Sequence, residues 1–137
     1  MIQRIQTVWL FLAALIIAAT LYFNVYKLAD GALVNLQDNY IAIVLIGFSA
    51  ILSLTALFNF KKRNTQLNMI WLNILVIIGL LAWIFYSIEN VKVDANAEGG
   101  MYSIGAFIPL VVIILLMLAR SGVKKDIKVL KAYDRLR

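Results

Sequence analysis

The sequence predicts an all-α fold: a polytopic four-helix membrane bundle with a basic amphipathic helix at its carboxy end. Three observations point there. Hydrophobic residues make up 64% of the 137 residues, and the mean hydropathy is +0.91, far above the roughly half-apolar composition of soluble domains. The apolar residues fall into four continuous runs. The cations gather in alternate connections between those runs.

The runs are residues 5–26, 40–60, 67–88 and 102–120. Each has the length a helix needs to cross about 30 Å of hydrocarbon at about 1.5 Å per residue. The first three contain no charged side chain, and the fourth has only Arg120 at its end. Barrel strands are excluded because the runs are continuous and about twice a strand's length. Arg4 before VWLFLAALIIAA could open a signal peptide. The run continues through LYFNVY with no small-x-small cleavage site, so the segment reads as retained. Residues 1–120 thus form the bundle and 121–137 a basic tail.

Orientation follows from the cations. Arg4, the loop residues Lys61, Lys62 and Arg63, and Arg120, Lys124, Lys125, Lys128, Lys131, Arg135 and Arg137 lie on one side of an even-numbered hairpin topology. Only Lys27 and Lys92 lie on the other. The positive-inside rule then puts both termini in the cytoplasm. Asp30, Asp38, Glu89, Asp94 and Glu98 fall on the opposite side. Trp9 and Trp71 mark one interface, and Tyr22, Tyr26, Tyr40, Trp83, Tyr86 and Tyr102 the other, where amphipathic rings favour the headgroup region.

The chain contains no cysteine and no histidine. That removes thiolate nucleophiles, disulfide frameworks and zinc sites built on those residues. Ion-coupled transport and intramembrane catalysis draw on ionisable groups at mid-depth, and the runs hold none. The chain therefore reads as a non-enzyme without catalytic, metal-binding or cofactor-binding residues.

Packing residues stand out instead. Ala42, Ser49, Ser53 and Ala56 share one helical face, and Ala14 and Ala18 are four apart. Small residues so spaced let helix backbones approach closely. Asn73 is the deepest of Asn24, Asn59, Asn68 and Asn73, and its type favours interhelical hydrogen bonds worth about 1 kcal/mol or less. Pro109 removes the N–H that would bond to the Gly105 carbonyl, which predicts a kink. In the tail, Val123, Ile127, Leu130 and Tyr133 form a helical stripe among cations, and Gly122 offers a bend. Such a helix would lie along the anionic cytoplasmic leaflet, or dock a cytoplasmic partner. Arg4, Lys61, Lys62, Arg63, Lys124, Lys125, Lys128, Lys131, Asp134, Arg135 and Arg137 are the candidate contacts. Threading explains these cations without nucleic acid.

MIQRIQTVWLFLAA, QLNMIWLNILVIIGLL, IGAFIPLVVIILLMLARSGVKKD and the ending KAYDRLR together resemble one family. It is the domain of unknown function 4293, small four-helix membrane proteins of Bacteroidetes-type bacteria. The resemblance covers essentially the whole chain and implies an inner-membrane protein with four spans. Its signature positions are Met1–Gln6 and Asp134, Arg135, Leu136 and Arg137. Ala132 and Tyr133 stand where the family commonly has serine and alanine, so those two side chains are not essential to the signature. The resemblance implies no substrate.

Two functions are weighed. The first is a non-enzymatic accessory or scaffold subunit of a membrane complex, using its basic ends on lipid, a protein partner or a second copy. The second is a small transporter or lipid-binding oligomer, with Asn73, Ser49, Ser53 and Pro109 along a neutral polar pathway.

Overall fold

A computed structural model describes residues 2–96 and 98–136; for Ile2, Gln3 and Arg4 only the backbone is described. Four helices, α1 Ile2–Ala19, α2 Tyr40–Phe58, α3 Arg63–Asp94 and α4 Ile104–Arg135, account for most of the chain. α1 packs on α2 and α4, α2 on α3, and α3 on α4, which closes a four-membered ring. The core is Leu10, Ala13 and Ile17 of α1, Ala42, Ile46 and Ala56 of α2, Ile70, Ile77, Leu80 and Ile84 of α3, and Val112, Leu116, Ala119 and Val123 of α4.

α2, α3 and α4 are long and apolar enough to cross a membrane, and the apolar part of α1, Ile5–Ala19, is shorter. Only 33%, 33% and 39% of the three spanning segments is buried within the bundle. The remainder, including Val44, Phe48 and Ile51 on α2, Leu75 and Ile78 on α3, and Phe107, Ile114 and Met117 on α4, is exposed and apolar. A surface of that kind needs lipid as its solvent.

The first, third and fourth helices depart from the expected limits, α3 running Arg63–Asp94 beyond the expected 67–88. The chain leaves α1 at Ala19 instead of continuing helically to Tyr26. Three tight turns follow, in which the N–H groups of Thr20, Leu21 and Tyr22 bond three residues back. The carbonyls freed beyond them serve α4: Asn24 accepts from the Gly105 N–H and Val25 from the Ser103 N–H, each at 3.0 Å. Irregular backbone in a membrane protein is tolerated where protein groups satisfy it, and here the first turn of α4 does so.

At its other end α4 runs through residues 120–122 without interruption. Gly122 is no bend. A β-carbon there would lie 2.7 Å from Gln6 Cγ, so this glycine lets α1 approach α4. At about 1.5 Å per residue, α4 carries some 20 Å of helix past Arg120. The basic segment continues the bundle instead of folding back along a leaflet. Pro109 is buried in the second turn of α4, where its missing N–H falls on the Gly105 carbonyl.

The connections opposite this basic end are more ordered than loops. β1 Tyr26–Leu28, β2 Leu33–Val34 and β3 Gly100–Tyr102 form an antiparallel sheet in the order β2-β1-β3. Tyr26 pairs with both Val34 and Tyr102. Lys92 Nζ lies 5.1 Å from the Tyr26 ring centre and 5.9 Å from that of Tyr102, and donates to Glu89 Oε1 at 2.9 Å. This cation seats the sheet against the end of α3.

The crossing at Gly105 is a sharp test. A β-carbon there would lie 2.5 Å from the Asn24 carbonyl oxygen and 2.9 Å from that of Phe23. Gly105→Ala is expected to cost about 1–3 kcal/mol through overpacking. Gly79→Ala, with open space around it, gains about 0.5–1 kcal/mol from helix propensity. Thermal midpoints in one detergent check both; an unchanged Gly105→Ala midpoint contradicts the crossing.

Candidate functional site: polar clamps and a basic end

Several polar side chains inside the bundle form small groups that tie one helix to another. At mid-bundle, Ser49 and Ser53 stand one turn apart on α2, opposite Asn73 of α3. Ser49 Oγ donates to Asn73 Oδ1 at 2.6 Å, and Asn73 Nδ2 donates to Ser53 Oγ at 2.7 Å. None of the three is more than 1% exposed. The amide thus engages both hydroxyls. The small face of α2 packs as expected: Ala42 and Ala56 are buried on the same side. Ala14 of α1 is buried and Ala18 half-buried.

A second group lies toward the sheet. Asn39 caps α2, its Oδ1 accepting from the Ala42 N–H at 3.3 Å and from Trp83 Nε1 at 3.0 Å. Its Nδ2 donates to Ser87 Oγ at 3.1 Å. One side chain therefore starts α2 and holds it to the far half of α3. Near the basic end, Asn59 Nδ2 reaches the Thr55 carbonyl at 2.8 Å and Met69 Sδ at 3.6 Å. The α2–α3 hairpin is fastened at three depths.

The third group orders the basic end, and sequence reading missed it. Gln6 of α1 donates through Nε2 to Asp126 Oδ2 of α4 at 2.9 Å, and Arg63 Nε of α3 stands 4.0 Å from the same oxygen. Gln6 is 4% exposed and Asp126 8%. A carboxylate this buried needs polar partners: it accepts a hydrogen bond from Gln6 of α1 and forms a long ion pair with Arg63 of α3. Asp126 sits between Lys125 and Ile127 in a tail full of charges, so nothing in its neighbourhood distinguished it from a solvated acid. The helical spacing with Val123, which places both on the bundle side of α4, was the available signal.

Around this anchor the expected contact residues divide. Lys61, Lys62, Lys124, Lys125, Lys128, Lys131, Asp134 and Arg135 are exposed, and Arg63 is half-buried. The Arg4 side chain and Arg137 lie outside the described residues. Along the apolar stripe of the tail, Val123 is buried and Ile127 half-buried, whereas Leu130 is 44% and Tyr133 67% exposed. Arg120 lies over Trp71, 5.0 Å from the ring centre, which marks the end of the apolar segments of α3 and α4.

Set against known proteins, the chain matches one family model, described as Domain of unknown function (DUF4293), over residues 2–136. No curated protein and no solved structure matches it.

A double-mutant cycle tests the mid-bundle clamp. Asn73→Ala and Ser53→Ala are expected to be coupled by about 0.6–1.7 kcal/mol, the range of hydrogen bonds between membrane helices. Unfolding in mixed micelles measures it, and strictly additive effects contradict the clamp.

Proposed function

The chain belongs to the DUF4293 family, and from that premise we propose that it is a non-enzymatic integral membrane protein serving as an accessory or scaffold subunit of a membrane complex. In this reading it resides in a bacterial inner membrane with both termini in the cytoplasm. Its basic end contacts anionic lipid, a cytoplasmic protein or a second copy.

One observation carries the reading. α4 leaves the apolar zone as an unbroken helix, and beyond Asp126 it presents Val129, Leu130, Tyr133 and Leu136 to solvent among Lys128, Lys131 and Arg135. Exposed apolar groups within a cationic surface suit a protein interface. The helix is held by Gln6 and Arg63 at its root, so it meets a partner without first paying the entropy of ordering. The charge distribution supports the orientation, since the cation-rich segments share the end that carries the α2–α3 turn and the end of α4.

A transporter or lipid-binding oligomer would route solute past Asn73, Ser49 and Ser53. Those groups bond to one another, which favours the scaffold reading.

Affinity purification of the full chain in a mild detergent, followed by mass spectrometry, tests it. The expected result is a defined protein partner, lost when Tyr133 and Leu136 are both changed to Ser with the bundle still folded. A solitary monomer with no copurifying protein overturns the scaffold reading.

A further inference from the structure

Between the α2–α3 turn and the α4 extension lies an open groove of about 390 Å³. Lys61, Lys62 and Arg63 line one wall, and Lys131 with the apolar Ile127 and Leu130 of α4 the other. Asp134 is the carboxylate on the rim. We propose that this groove is a binding site for the phosphate-bearing headgroup of an acidic phospholipid. The inference rests on the reading of the basic end as a membrane-flanking surface, and it assigns that surface one specific site.

Charge is the first argument. Among the described residues, Lys61, Lys62 and Lys131 have no carboxylate within ion-pair distance, and Arg63 meets only Asp126, at 4.0 Å. Four cations thus converge with two carboxylates beside them, Asp134 in the groove and Asp126 at Arg63. Lys62 caps α3 without a side-chain hydrogen bond, and Asn64 and Thr65 of the first turn also line the groove.

Depth is the second. The apolar run of α3 begins at Leu67, four residues from Arg63, or about 6 Å along the helix. Headgroups occupy about 5–8 Å beyond the hydrocarbon on each side, so Arg63 stands where lipid phosphates are. Size is the third: 390 Å³ accommodates a headgroup, while an acidic helix would need a far longer cleft. The apolar wall suits the glycerol and upper acyl carbons of a lipid better than a free anion.

Native mass spectrometry of the full chain, released from an uncharged detergent with added phosphatidylglycerol or phosphatidylcholine, tests the site. Two variants of equal charge are compared: Lys61→Gln/Lys62→Gln/Lys131→Gln in the groove, and Lys124→Gln/Lys125→Gln/Lys128→Gln outside it. The protein is expected to retain phosphatidylglycerol in preference to phosphatidylcholine. The groove variant should weaken retention roughly a hundredfold, and the outer variant by less than about threefold. Equal weakening in both variants, no weakening in either, or equal retention of the two lipids overturns the site. So does displacement by inorganic phosphate at millimolar concentration, which would identify a free anion as the ligand. The copurifying protein is scored in the same preparations. Loss of lipid specificity with the partner kept overturns the groove alone, and absence of a partner with the lipid kept overturns the scaffold reading alone.

Discussion

The outside of this bundle is as apolar as its inside, and that constraint governs the rest of the structure. Lipid tails solvate leucine as well as a neighbouring helix does, so burying apolar surface cannot decide which faces meet. Close approach and hydrogen bonding must decide instead. The residues at the helix contacts fit that requirement. Ala42, Ser49, Ser53 and Ala56 bring α2 near its neighbours, Gly105 lets α4 slide beneath the chain leaving α1, and Gly122 admits Gln6. Polar bonds then fix the register: Asn39 and Asn73 lock α2 to α3, and Asp126 gathers α1, α3 and α4.

These clamps give the basic end its character. A lysine-rich tail that served only to orient the chain would have no need of a buried carboxylate. Asp126 brings the root of the extension into the bundle, fixing Lys131 relative to Lys61 and Lys62 across the groove. The cations of this end therefore form a shaped surface, with exposed apolar groups farther along the same helix.

Hydropathy alone located four helices, because charge-free runs of that length leave the backbone no alternative in lipid. The α2 face and Asn73 were each visible from type and spacing, but their mutual bonds depend on how two helices are rotated, which spacing does not encode. The early end of α1 was hidden because LYFNVY carries no charged residue to close the run; what unwinds it is a contact with α4 some 80 residues on. The sheet strands, two or three residues each, are too short for any alternation to register. Gly122 misled most. A glycine between an apolar run and a basic one looks like a hinge, yet its lack of a side chain serves Gln6 of α1.

The central claim is that α4 is one rigid helix, held at the basic end by Gln6 and Asp126. The chain has no cysteine, so nitroxide labels can be attached at Met117→Cys and Lys131→Cys alone, and their separation measured by pulsed electron resonance in lipid. An unbroken helix separates the two backbone positions by about 21 Å and gives one narrow distance distribution, which broadens when Asp126→Ala is added. A shorter or broad distribution in the otherwise unaltered protein would contradict the account.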